Sequence, residues 1–341
     1  MLNFLLNNIN MEQINNNHFE DNSLKEEFKN IKQQLETKDE DLEKLRNLTS
    51  VIANQQKTEN NDLPVDIQTG RIDMDEYVAE GIYKKEEVDG TKETIRQLED
   101  KWLKKITSNN VREQAQQEIN GEKFELLALS TLYKFLHNKF IIIRSARYDD
   151  VDNSVDTIIF DKNTGNIVCT LDEGGSYFGA YAEEKKSDTL EKNQKGGARL
   201  KYGLILTQGS EGKKYVKGGS VKNIPLFDLF LGYENIRKHL PELSLDLSQI
   251  SDIEKNLFVY FMREVNDQIL EMKHQELNIP TELQQSANNF KSQIEQLYPN
   301  IFYTEKSDIV RKKRVLKANY YLNLQPITND KDRDSFREKV P

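Results

Sequence analysis

The chain has 341 residues, a net charge of −9, and 31% charged against 36% hydrophobic residues, which leaves room for one to three domains with a modest core and solvated helices. Its single cysteine, Cys169, excludes an intramolecular disulfide and leads us to expect a reducing, cytoplasmic setting. No stretch reaches the ~18 apolar residues of a membrane helix, and the short apolar start at Met1 lacks the basic and hydrophobic regions of a signal peptide, so no membrane partner is expected.

Residues 1–22 are rich in asparagine and are predicted to be disordered. Ser23 and Glu26 form a capping-box pattern, after which Leu24, Phe28, Ile31, Leu35, Leu42, Leu45 and Ile52 recur at spacings of three and four, with Lys38 and Thr49 as polar interruptions. This predicts a coiled-coil-like helix over 23–54 and self-association through it as a homo-oligomer. The same positions would also suit an amphipathic helix packed on the chain's own core. Residues 55–90 lose the periodicity and carry Pro64, Gly70 and Gly90, which reads as a linker with one short helix at 73–85.

Residues 91–240 are expected to form an α/β core with a mixed sheet. Ile95, Leu98, Trp102 and Ile106 mark one helix, and Ala115, Ile119, Phe124, Leu127, Leu132 and Phe135 give Val111 to Leu136 an apolar side. The period then falls to two, predicting strands at 139–144, 154–160 and 166–171 with a turn at Asn163–Gly165. A polar helix at 182–195 and strands at 202–207 and 224–231 follow. Residues 241–324 read as a helical region, with helices opened by Ser251 and Pro280 and a third at 307–322, and 325–341 as a flexible tail. The fold class expected is α+β.

The hairpin at 155–171 carries the chemistry. Asp156 stands at the head of one strand, and Asp172 and Glu173 at the end of its partner. Antiparallel pairing brings those ends together. Converging carboxylates repel unless a cation neutralises them, and a hard divalent ion such as Mg²⁺ takes oxygen ligands. Glu122 and Glu125 lie on the preceding helix.

This arrangement resembles the PD-(D/E)xK nuclease superfamily, with its restriction-endonuclease-like core of a glutamate-bearing helix, a three-stranded meander, a further helix and a strand. The resemblance covers about residues 118–210. It implies that Glu125 matches the helical glutamate, Asp156 the first aspartate, and Asp172 or Glu173 the second acid. It also implies Mg²⁺ held by Asp156, Asp172 and Glu173, and phosphodiester cleavage. The family's lysine falls two residues after the second acid, where this chain has Gly174 and Gly175. Related folds supply it from the next helix, which points to Lys185 or Lys186.

Residues 185–222 hold ten Lys/Arg against three Asp/Glu in an otherwise acidic chain. Lys192, Lys195, Arg199, Lys201, Lys213 and Lys214 are the candidates for holding a nucleic-acid backbone, DNA being the expected partner. Solvated loops would carry the same lysines. The departure at the lysine position leaves a second expectation open, a catalytically inactive nuclease-fold scaffold or interaction protein. Cys169 is expected to be a buried small apolar side chain.

Overall fold

A computed structural model describes residues 23–60, 63–174, 180–208, 214–274 and 277–302. The expectations for 1–22, for a helix at 307–322 and for a tail at 325–341 lie outside these residues, as does Lys213.

The heptad pattern is used inside the chain. It forms two helices, α1 at residues 23–36 and α2 at Glu40–Glu59, broken beside Lys38. Asp39 ends the first register and caps the second, its carboxylate accepting from Leu42 N at 3.0 Å. Phe28 of α1 packs with Ile106, Val111 and Ala115 and meets the Trp102 ring edge-on at 5.7 Å. Leu42 and Leu45 of α2 enter the main core, while Leu48 and Ile52 cover Tyr133. The single coiled-coil helix expected over 23–54 is therefore replaced by two helices whose apolar seam faces their own chain.

The segment read as a linker is also packed. Leu63, Val65, Ile72 and Tyr77 are all buried, and a short helix, α3 (Glu76–Ala79), falls inside the expected 73–85. Tyr77 donates its hydroxyl hydrogen toward the carbonyls of Tyr202 and Gly203, each at 3.0 Å. Helix α4 (Lys85–Leu103) follows. The four buried apolar side chains outweigh the local Pro and Gly signals that suggested a linker.

Helix α5 (Val111–Leu136) leads into strands β1 (Phe140–Arg144), β2 (Thr157–Asp161) and β3 (Ile167–Gly174), an antiparallel meander interrupted by α6 (Arg147–Asn153). Helix α7 (Ala180–Gln194) then carries the chain across. Strand β4 (Ala198–Gln208) pairs with β5 (Lys214–Ile224) in a separate ribbon, and β6 (Leu226–Phe230) runs parallel to β3. The main sheet has the order β1-β2-β3-β6. Apart from the ribbon and α6, this is the expected order of elements. Strand β5 was not anticipated, because its Lys217, Gly218, Gly219 and Lys222 give no apolar alternation. A partner strand, not a core, satisfies its backbone.

Cys169, Leu171, Phe227 and Leu229 share one cluster with α5 and with α9 (Asp252–Glu271) and α10 (Thr281–Leu297). Ile141, Ile143, Ile158 and Phe160 share another with Val65, Tyr77, Leu200 and Tyr202. The alternation of β-strand side chains thus divides the sheet cleanly. Helices α9 and α10 belong to the same cluster as the sheet, so the described part of 241–324 packs into the α/β core. The capping box at the head of α9 forms as expected: Glu254 N donates to Ser251 Oγ at 3.3 Å and Ser251 N to Glu254 Oε2 at 2.7 Å.

Side chains close both outer edges of the sheet. On β1, Gln56 pairs with both backbone groups of Ile142, accepting at 3.0 Å and donating at 2.6 Å. On β6, Asn193 pairs in the same way with Leu226 and Gln268 with Asp228, and Tyr260 donates to the Phe230 carbonyl at 2.6 Å. These amides stand in for the missing neighbour strand. Among the described residues no helix is long and apolar enough to cross a membrane.

Candidate functional site

The acids of the hairpin are brought to one end of the sheet and buried there. Asp156 sits just before β2, its backbone N–H bonded to the Leu171 carbonyl at 2.9 Å and its carbonyl accepting from Ser145 N at 2.8 Å. Its side chain turns toward β3 and accepts from Glu173 N at 2.7 Å. Asp156, Asp172 and Glu173 are each 5% exposed or less. The expected convergence of strand ends therefore holds in the backbone.

The two adjacent acids of β3 then part. Strand alternation puts Glu173 with Cys169 and Leu171, beneath α5, and Asp172 on the opposite side. Neither carboxylate oxygen of Glu173 meets a hydrogen-bond partner. Burial, with the charges of Glu125 and Asp172 adding to it, pushes its carboxyl up to about 8, against the pull of the nearby Thr157 and Asp156 side chains. Asp156 is driven well above the usual carboxylate range by burial first, and then by Glu125, Asp150, Glu173 and Asp172.

Asp172 forms an ion pair with Lys185 of α7. This is the helix from which a displaced lysine was expected. Lys186 instead lies over the Phe230 ring, 5.4 Å from its centre. That same ring explains Gly174: a Cβ there would stand 2.7 Å from Phe230 Cδ1 and Cε1. The position two after Asp172 has no room for a lysine while Phe230 keeps its place.

Across from Asp172 in the parallel register stands Asp228 of β6, an acid the sequence reading missed. It is 3% exposed and accepts from Thr189 Oγ1 at 2.6 Å. Burial and the neighbouring Asp172 push it up to about 7, against the pull of the Thr189 hydroxyl and of Lys185 and Lys186. The signal was present in the sequence: a lone carboxylate inside Leu226-Phe-Asp-Leu-Phe230, where every neighbour is apolar.

Glu125 reaches this end of the sheet from α5 and is ion-paired there. Its Oε2 accepts from Arg71 at 3.1 Å and also from Arg144 at the end of β1. Arg71 further bridges to Asp150 at 2.8 Å, which Arg147 also reaches at 2.8 Å. Burial opposes charge on Asp150, but the guanidiniums of Arg71 and Arg147 prevail and hold its carboxyl low. Glu122 is paired with Arg46 through two 2.8 Å bonds and takes no part. Arg71 owes its place to Gly70, which has φ +67° and lies so close to α2 that a Cβ would stand 2.7 Å from Thr49 Cγ2.

The basic stretch has a different fate. Lys192 donates to the Asn153 carbonyl at 2.8 Å, and Lys195 pairs with Glu191 on an exposed face of α7. Lys201 donates to Thr91 Oγ1 and lies over the rings of Tyr148 and Tyr202, 5.1 and 5.7 Å from their centres. Arg199 is exposed and stands opposite Lys222 in the ribbon. Lys214 opens β5.

Among the described residues no group of three or more His, Cys, Asp or Glu side chains is arranged to hold a metal ion. The pair Asp156 and Glu173 nevertheless leaves buried carboxylate oxygens without a partner, which is a fit for one side of a cation's shell. Protein families, curated proteins and solved structures offer no match to this chain.

Proposed function

We propose that this chain is a metal-dependent nuclease-like protein acting on nucleic acid, with its site at the junction of β2 and β3. The observation that carries the reading is Glu173, a buried carboxylate with no partner for either oxygen, whose backbone N–H is bound to the side chain of a second buried acid, Asp156. A protein that kept both acids for packing alone would carry two buried carboxyls that can ionise only at a cost, with nothing to offset their charge.

Mg²⁺ suits such a pair, because it commonly takes one or two protein carboxylates and fills the rest of its shell with water and substrate phosphate oxygens. Asp156 and Glu173 would hold it, while Asp172, turned to the other side of β3, would keep Lys185 in place. When bound, the ion would lower the pKa of a water and offset charge on the phosphate. Lys185, paired with Asp172, is the residue that would serve as the displaced lysine of the resembled family and supply positive charge to the reacting phosphate. DNA is the expected nucleic acid.

A second reading keeps the fold and drops the catalysis. It is favoured by the internal neutralisation of two acids, Asp172 by Lys185 and Glu125 by Arg71 and Arg144. Calorimetric titration with Mn²⁺, followed by cleavage assays on plasmid and single-stranded DNA, separates the two. We expect binding and cleavage by the native chain, weaker metal binding and at least about a hundredfold slower cleavage in Asp156→Asn, and slow cleavage with retained metal binding in Lys185→Ala. Metal binding without cleavage of any DNA would select the scaffold. No metal binding by the native chain would end the first reading.

A further inference from the structure

We propose that Arg71 and Arg144 form a phosphate-binding cradle, and that Glu125 occupies it when no phosphate is present. The inference rests on the site described above and assigns its anionic ligand, the phosphate group of a phosphodiester or of free phosphate.

Three observations point this way. First, both guanidiniums converge on a single oxygen, Glu125 Oε2. Their other contacts are Arg71 with Asp150 at 2.8 Å and the Ser145 carbonyl at 3.5 Å, and Arg144 with the Thr69 carbonyl at 3.1 Å, which still leaves part of the five-donor capacity of each fork unused. Arg144 Nε is buried with no acceptor at all. Second, each arginine opposes the other's charge. Burial lowers the Arg144 pKa most, and the charge of Arg71 lowers it further. An anion with three free oxygens would relieve that repulsion better than one carboxylate. Third, the cluster can be reached. The side chains of Arg71 and Glu125 retain 13% and 19% of their exposure, against 6% for Arg144, so the cradle meets solvent through Arg71 and Glu125.

The position is right for the chemistry next to it. Arg144 ends β1 and pairs in register with Thr157, the residue after Asp156. Glu125 is the charge that acts most strongly on both Asp156 and Glu173. A phosphate that displaced Glu125 from the arginines would therefore arrive beside those two acids. It would also bring the oxygens that a cation held by only two carboxylates lacks. A purely structural role predicts the opposite dependence, because such a cluster would simply pin the loop before Arg71 to the end of β1.

The experiment is titration with inorganic phosphate and, separately, with a short single-stranded oligodeoxynucleotide, on the full chain. We expect weak phosphate binding by the native protein. Glu125→Gln, which keeps the shape but removes the carboxylate charge that the two guanidiniums share, should bind at least about tenfold more tightly, the equivalent of 1.4 kcal/mol. Arg71→Gln should lose binding. Arg71→Lys, which keeps the charge but not the fork, should recover it only in part. Circular dichroism confirms that each variant is folded. Oligonucleotide binding that follows the same order places a phosphodiester in the cradle, and an effect on inorganic phosphate alone places a free phosphate there. Phosphate binding that is absent throughout, or indifferent to Arg71→Gln, overturns the proposal. Equal or weaker binding by Glu125→Gln also overturns it. Mn²⁺ titration of the same samples reads the Asp156–Glu173 pair independently, so failure of the cradle is distinguishable from failure of the metal site.

Discussion

Two charged groupings stand out in this sequence, and the structure treats them in opposite ways. The acids at 156, 172 and 173 are buried together at one end of a sheet, with two oxygens left unpartnered. The lysines at 192, 195 and 201 are each engaged with a different neighbour. Burying a carboxylate is costly unless it is paired, whereas a surface lysine costs almost nothing. A cluster kept against its cost says more about function than a denser cluster kept for free.

The largest test of this contrast uses a lysine outside the basic stretch. Lys134 is fully buried with Glu254, and its ammonium also donates to the carbonyls of Ser244 and Gln249 at 2.7 and 3.0 Å. Lys134→Ala should leave a buried carboxylate unpaired and cost about 3–5 kcal/mol in urea unfolding. A loss below about 1 kcal/mol would show that burial alone does not rank these charges.

Glu173 gives the next effect, and its sign is fixed by linkage. Its folded carboxyl lies at about 8, above the ordinary 4.5. Its contribution is therefore fully present below pH 4.5 and is lost as pH rises through 8. Without metal, Glu173→Gln should flatten the fall in stability between pH 5 and 9 and gain on the order of a few kcal/mol at the alkaline end. A native-like slope in that variant would mean Glu173 is not the group responsible.

The smallest effects belong to the basic stretch. Lys201→Met should cost about 1 kcal/mol through its lost contacts with the two tyrosine rings. Lys195→Glu should leave the melting temperature unchanged. Reversing Lys192, Lys195 and Lys201 together tests the expected nucleic-acid role. Salt-dependent DNA binding that survives the triple reversal would move the phosphate contacts elsewhere, toward Arg71 and Arg144.

Much of the fold was legible because it depends on local periodicity. The strands at 140–144 and 157–161 are apolar runs, and the cap at Ser251 is a four-residue pattern. The heptads of 23–54 were legible as apolar seams, but not as to what covers them. The same spacing serves a second chain or the chain's own core, and only tertiary packing decides. At the candidate site, strand pairing in the sequence already places Asp156 near Glu173, whereas Lys185 is suggested only by the resemblance to a nuclease family. Arg71, Arg144 and Asp228 follow from neither. The first two come together from residues 73 positions apart through a turn at Gly70, and no local pattern marks such a meeting. Asp228 is visible as the one charge in an apolar strand, but hydrophobic periodicity gives such a residue no role until its neighbours across the sheet are known.

The closed edges of the sheet bear on how the chain is made. Gln56 lies 86 residues before the Ile142 backbone it covers, so on a ribosome the β1 edge finds its cover already synthesised. The β6 edge is less fortunate. Asn193 precedes it, but Gln268 follows Asp228 by 40 residues. At about 5–20 residues per second, that leaves part of the strand open for on the order of 2–8 s during each synthesis. An unpaired edge is a template for another strand. The nascent chain is therefore most prone to misassociation between completion of β6 and emergence of α9, and a chain truncated in that interval should aggregate where the full-length chain does not.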